Sequence, residues 1–178
     1  TSKSDTTDAF IAKFNNTGNR LWGTYFGGND DDEAIAITVD SNDNIFITGK
    51  TKSDSLAYGG SSLHQDSLGG ETDAFAAKFN SSGTLTWSTY FGGENTDYGL
   101  DINSESSDVY IVGRTASTMS ISSSTLSSFN GGSIDAFIAK FNSSNGALIW
   151  SRYYGGEGDD LFRSVDSDGN EIYCVGYT

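Results

Sequence analysis

The sequence has no proline, one cysteine, one histidine and one methionine among 178 residues. Disordered chains are poor in aromatics and often rich in proline, so 13% aromatic content with no proline excludes that class. No apolar run approaches the roughly 18–20 residues that a membrane helix needs, so membrane insertion is not expected. A single cysteine, Cys174, excludes an internal disulfide framework. It lies in an alternating apolar run and reads as a buried, inert thiol. A catalytic triad or a His-rich zinc site would rest on His64 alone, whose setting Ser-Ser-Leu-His-Gln-Asp-Ser is that of a polar loop. Basic residues are also scarce: 10 Lys and Arg against 24 Asp and Glu, a formal charge of −14 and a pI near 4.1. That field opposes nucleic acid and anionic lipid as partners and favours solubility and cations. The length suits one domain, residues 1–178. The chain begins at Thr1 without methionine, which reads as a processed or excised piece of something longer.

What the sequence does contain is repetition. Asp8-Ala-Phe-Ile-Ala-Lys-Phe-Asn15 returns as Asp73-Ala-Phe-Ala-Ala-Lys-Phe-Asn80 and Asp135-Ala-Phe-Ile-Ala-Lys-Phe-Asn142, at spacings of 65 and 62 residues. Trp22-Gly-Thr-Tyr-Phe-Gly-Gly28 recurs as Trp87-Ser-Thr-Tyr-Phe-Gly-Gly93 and Trp150-Ser-Arg-Tyr-Tyr-Gly-Gly156. Ile45-Phe-Ile-Thr-Gly49 recurs as Val109-Tyr-Ile-Val-Gly113 and Ile172-Tyr-Cys-Val-Gly176. The repeats run over residues 8–72, 73–134 and 135–178. Each period reads as four strands, in the first copy 8–15, 21–26, 34–39 and 45–48. In the first of these, Phe10, Ala12 and Phe14 share one face, and Ala9, Ile11 and Lys13 the other. The polar joint Asp40-Ser-Asn-Asp-Asn44 between the last two is hairpin chemistry. No segment sustains a helical period. The expectation is an all-β fold of β-propeller blades, each of four antiparallel strands. Two segments, 51–72 and 115–134, are long, Ser- and Gly-rich loops (Ser122-Ser-Ser-Thr-Leu-Ser-Ser128 is typical) on one face of the blades.

Together the Asp-Ala-Phe-Ile-Ala-Lys-Phe, Thr-Tyr-Phe-Gly-Gly and Val-Asp-Ser-x-x-Asn-Ile-Phe-Ile-Thr-Gly segments resemble the SBBP-type bacterial β-propeller repeat. More distantly, Val165–Asn170 resembles the NHL repeat. The middle copy departs at Asn103-Ser-Glu-Ser106, and the third reads as two residues shorter between Asp160 and Val165. The resemblance implies a propeller within a secreted or surface-exposed bacterial protein, without enzyme activity. The NHL resemblance implies a strand order from hub to rim: the 34–39 type, the 45–49 type, the next Asp-Ala-Phe strand, then the Trp strand. The chain then opens with the two outer strands of a blade and closes with the two inner strands of another. Three repeats fall short of the typical minimum of about four blades, so the expectation is part of a larger ring or an oligomeric propeller.

Candidate chemistry is acidic. Asp40, Asn42 and Asn44, and likewise Asp166, Asp168 and Asn170, have the alternate-residue oxygen spacing of the first half of a calcium loop. Neither run has the glutamate that completes an EF-hand, and Asp and Asn serve turns equally well. Calcium is the one cofactor the pattern suggests. Acidic residues also follow each Gly-Gly: Asp30-Asp-Asp-Glu33, Asp97 and Asp159-Asp160. Read as solvated loops they carry no chemistry; as paired acids across a cleft they would suit glycoside hydrolysis. Trp22, Trp87 and Trp150 recur at one place per repeat, which suits packing between blades better than stacking on sugar. One lysine per repeat, Lys13, Lys78 and Lys140, reads as a surface or sheet-face partner. Asn15-Asn-Thr17, Asn80-Ser-Ser82 and Asn142-Ser-Ser144 match the N-glycosylation pattern. Asp5-Thr6-Thr7, Asp54-Ser55-Leu56 and Asp66-Ser67-Leu68 resemble an O-glycosylation acceptor.

The functional expectation is a non-enzymatic propeller module outside the cell or on the bacterial surface, with a structural, adhesive or ligand-presenting role. Its partner would be a protein or a glycan, and the chain part of a longer one or of a homo-oligomer. The alternatives are a carbohydrate-active hydrolase using loop carboxylates and a calcium-stabilised adhesin.

Overall fold

In the computed structural model, which describes residues 6–56, 64–118 and 132–178, every regular element is a strand. They are β1 (Ala9–Phe14), β2 (Arg20–Phe26), β3 (Asp32–Val39), β4 (Ile45–Thr51), β5 (Asp73–Phe79) and β6 (Leu85–Phe91). Then follow β7 (Asp97–Glu105), β8 (Asp108–Thr115), β9 (Asp135–Asn142), β10 (Leu148–Tyr154), β11 (Leu161–Ser167) and β12 (Ile172–Tyr177). Two four-stranded antiparallel sheets have the orders β3-β4-β5-β6 and β7-β8-β9-β10, and two-stranded sheets β1-β2 and β11-β12 flank them. These are propeller blades, in the strand order read from the sequence. The outer parts of the two long loops, including Ser122–Ser128, lie outside the described residues, as does Asp5.

Local chemistry fixes the turns. Asn80 at the β5–β6 hairpin accepts the Ser82 and Thr84 amides on Oδ1 (both 3.0 Å), and Gly83 follows at φ 83°. Asn15 with Gly18 and Asn142 with Gly146 build the matching hairpins. The asparagines of the glycosylation pattern are therefore turn residues, each with its carboxamide oxygen engaged.

Every hub strand carries a β-bulge at the third residue after the aspartate at its head, counting from Asp32, Asp97 and Asp160. This register corrects the alignment on Val-Asp-Ser: Val39 faces Ile45, and Ser167 faces Ile172. Asp168, not Asp166, is thus the counterpart of Asp40, and the third hub strand is not shortened. The shorter copy lies in the β11–β12 turn, one residue tighter than the β3–β4 turn.

The core lies between blades. Phe26 packs on Phe75 and Phe79 of the next sheet (ring centroids 5.0 and 5.8 Å). One blade on, Phe91 packs on Phe137 and Phe141 (5.0 and 5.7 Å). Trp22 Nε1–H donates to the Ser81 carbonyl at 3.2 Å and Trp87 Nε1–H to that of Ser143 at 3.1 Å. Gly83 and Gly146 lie flat on those two indoles, where a Cβ would come within 2.9 Å of the ring. The tryptophans are inter-blade packing residues, as the recurrence suggested. Both faces of β5 are buried this way, so its two-face alternation separates two blade contacts rather than core from solvent. Lys78 lies over Phe46 and donates to the Ser143 carbonyl at 3.0 Å; Lys140 lies over Tyr110 and pairs with Asp108 at 2.7 Å. His64 departs from its polar-loop reading: it packs on Phe91 at 5.7 Å, and burial lowers its pKa.

Candidate functional site: paired carboxylates under the Gly-Gly loops

The aspartate at the head of each hub strand, Asp32, Asp97 and, one residue before β11, Asp160, turns back beneath the preceding Gly-Gly loop. Asp32 Oδ2 accepts Gly28 N–H at 2.7 Å, Asp97 Oδ2 accepts Gly93 N–H at 2.9 Å, and Asp160 Oδ2 accepts Gly156 N–H at 2.8 Å. A hydroxyl closes the other side: Ser53 Oγ donates to Asp32 and Ser117 Oγ to Asp97, both at 2.8 Å. Thr115 Oγ1 adds a further bond to Asp97 Oδ1. Each aspartate's own amide is held by the residue before the neighbouring Asp-Ala-Phe strand, Thr7, Thr72 and Ile134.

A second aspartate, the first of the Asp-Ala-Phe segment, points at the same place. A Cβ on Gly27 would lie 2.6 Å from Asp32 Oδ2 and 2.8 Å from Asp8 Oδ1. On Gly92 it would lie 2.6 Å from Asp73 Oδ1 and 2.7 Å from Asp97 Oδ2. Glycine at these positions is required because two carboxylates converge on the space a side chain would fill. Asp73 Oδ2 accepts Gly69 N–H and Gln65 Nε2–H (2.9 and 2.8 Å), while its Oδ1 has no hydrogen bond. Gln65 Oε1 also accepts Gly92 N–H, tying the later stretch of the 51–72 loop to the pair. Asp135 and Asp160 are buried at the equivalent positions of the third copy.

Burial pushes the Asp73 carboxyl up to about 6, and the facing Asp97 charge adds to the shift. Burial likewise raises Asp97 and Asp32, the latter with a contribution from Asp8. The fold therefore holds these protons more firmly than the unfolded chain. Stability rises as pH falls from 7 through about 6 toward the ordinary value of 3.8, and is lost as pH rises again. Asp73→Asn keeps an acceptor for Gly69 and Gln65 and puts a donor where the unbonded oxygen faces Asp97. It should stabilise the chain by about 1–2 kcal/mol at pH 7.5 and flatten the pH dependence between 5 and 7.5. Thermal melts across that range test this. A loss of stability at pH 7.5 would mean that the charge is needed, as it would be for a bound cation.

The sequence-predicted residues sit elsewhere: Asp40, Asn42 and Asn44 meet in one turn, while Asp166 parts from Asp168 and Asn170. Asp40 Oδ1 accepts the Asn42 and Asn44 amides (2.9 and 2.8 Å), and its Oδ2 accepts Asn44 Nδ2–H at 2.8 Å. These bonds, led in effect against a desolvation penalty by the Asn44 side chain, hold its pKa low. Asp168 Oδ1 accepts the Asn170 and Glu171 amides, and Tyr173 O–H reaches its Oδ2. Asp166 leaves that turn altogether and bonds Asn103 of the neighbouring blade at 3.2 Å. Among the described residues no three His, Cys, Asp or Glu side chains gather as a metal cluster. Asp159 and Asp160 are not a solvated pair: Asp160 is buried and Asp159 exposed. The buried pairs escaped the sequence reading although both aspartates recur in every copy, 24 residues apart in the first two. Cys174 is half-buried and its thiol is pushed up to about 11, as an inert thiol requires.

Known proteins place this architecture in a class. Residues 21–57 match the SBBP family, described as a beta-propeller repeat, over β2, β3 and β4. The match is consistent with an SBBP-type repeat protein, and the antiparallel four-stranded sheets agree with it. It is similar to Regulatory protein FlaEY of Caulobacter vibrioides, 31% identical over 111 residues. That match spans 61% of this chain and 11% of FlaEY, so the chain corresponds to a small part of that relative's length.

Proposed function

We propose that the chain is a non-enzymatic propeller module acting outside the cell or on the bacterial surface, with a structural, adhesive or ligand-presenting role toward a protein or glycan. The observation that carries this reading is the use made of the recurring acids. They brace the Gly-Gly loops from beneath, with backbone amides and hydroxyls on their oxygens, and hold the loop bases in fixed geometry. A rigid scaffold with long loops between its blades suits recognition. Hydrolysis by retained or inverted displacement needs two carboxyls facing substrate across an open cleft. The Asp73/Asp97 pair faces a glycine backbone instead.

Two measurements test the reading. Protease treatment of intact bacteria should cleave the chain in place, whereas protection until lysis would put it inside the cell. Incubation with a panel of polysaccharides at pH 5–7 should release no reducing ends. Release that Asp97→Asn abolishes would replace this reading with a hydrolase.

A further inference from the structure

A cavity of about 260 Å³ lies where the heads of the hub strands β3 and β7 meet the end of β4. It is smaller than the roughly 300–1,000 Å³ of drug-sized sites and has room for one small ring rather than a chain. Its walls include Asp31, Glu33, Lys50, Lys52, Thr72 and Tyr98. The charges alternate: Lys50 Nζ lies 3.0 Å from Glu33 Oε2, and Lys52 Nζ 4.0 Å from Asp31 Oδ2. Backbone bonds fix the second pair. Asp31 Oδ1 accepts Thr7 N–H at 2.9 Å, and the Asp31 carbonyl accepts Lys52 N–H at 2.9 Å. Lys50 Nζ also lies 5.0 Å from the centre of the Tyr98 ring, which Arg114 covers at 4.4 Å, so two cations hold the aromatic wall.

The fold does not ask for these residues. Glu33 faces Lys50 across β3 and β4; the same two positions hold Tyr98 and Arg114 in the next blade, and Leu161 and Tyr177 in the one after. Lys52 is matched by Ala116. Beside them, the positions that the fold does need are the same in every copy: Asp32, Asp97 and Asp160, and Gly49, Gly113 and Gly176. Half-exposed ion pairs add little to stability, because water competes for both charges. Neither the repeat nor packing accounts for a cavity walled by them.

We infer that this cavity binds one neutral pyranose residue of a glycan, an inference that rests on the reading of the chain as a recognition module. Each ammonium–carboxylate pair sets a donor beside an acceptor. One hydroxyl of a vicinal diol donates to the carboxylate, and its neighbour accepts from the ammonium. Opening an exposed ion pair to admit them costs little, while hydrogen bonds to charged groups are among the strong ones. The charge pattern selects the class of sugar. An anionic one would meet Asp31 and Glu33, and a cationic one Lys50 and Lys52. A zwitterion needs separate positive and negative poles, and here each cation stands beside its own acid.

Backbone amide shifts in NMR spectra test this, with the methyl pyranosides of glucose, galactose, mannose and N-acetylglucosamine as probes. At least one should shift the amides of Glu33, Lys50, Lys52 and Tyr98 saturably at millimolar concentration. Lys50→Met and Glu33→Gln should leave the melting temperature nearly unchanged and weaken that binding by about tenfold or more. Glucuronate and glucosamine should bind more weakly than the best neutral probe. Saturable shifts confined to another surface, or binding that both variants leave intact, would overturn the cavity and keep glycan recognition. Tighter binding of a charged sugar, or no saturable shift with any probe, would overturn the inference outright. Failure of the wider reading shows separately, in protease protection of intact bacteria or in release of reducing ends.

Discussion

Replacing Trp87 by alanine is expected to cost about 3–5 kcal/mol, the range for deleting a large buried aromatic. The side chain is almost wholly buried. Its ring lies on the Gly146 backbone and 6.1 Å from Phe46, and its Nε1–H ends on the Ser143 carbonyl. Alanine would leave a hole between two blades that neither sheet can close, because each is fixed by its own ladder. Lys78 still donates to the same carbonyl, so the loss is mainly one of packing. Urea unfolding should show a lower midpoint with similar slope. Trp87→Phe should recover more than half of the loss. A cost below about 1 kcal/mol would mean that the blades are not held through their rim tryptophans.

Gly113→Ala should be nearly as damaging, by about 3 kcal/mol or more, for the opposite reason: no room exists for one methyl group. A Cβ there would stand 1.8 Å from the Tyr98 carbonyl oxygen and 2.9 Å from its carbon. Both are backbone atoms of the paired hub strand, just before its bulge, so relief would require β7 and β8 to part. Gly49 meets the Glu33 carbonyl in the same way, and Gly176 that of Leu161. The backbone of Gly113 is not left-handed, so this cost is one of contact alone. Thermal melts of the variant test it. A drop smaller than that for Gly18→Ala, which meets open space but must adopt φ 83°, would contradict the steric account.

The blades were legible in the sequence because their markers are local. The Asp-Ala-Phe, Trp-x-x-Tyr-Phe-Gly-Gly and Ile-Phe-Ile-Thr-Gly segments each build one strand and its end, and their recurrence gave the order from hub to rim. The site was less legible because it is made across the chain. Asp8 meets Asp32, and Asp73 meets Asp97, only after the intervening strands fold back. Runs such as Asp30–Glu33 hide one buried carboxylate among exposed neighbours, and composition alone cannot say which. Asp166 passed for a turn residue because Val165-Asp-Ser repeats the residues of Val39-Asp-Ser two positions too early in the strand, and residue type alone does not set the register. His64 passed for a loop residue because its neighbours are polar, while the rings that cover it, Phe91 of β6 and Phe141 of the next blade, lie far along the sequence.

Hydrogen exchange tests the central claim most directly, that the sheets are held to one another as stacked blades. The amides of β4, β5, β8 and β9, strands paired on both sides, should be the best protected, and Trp87→Ala should lower their protection in both four-stranded sheets together. A loss confined to the sheet that carries Trp87 would contradict it.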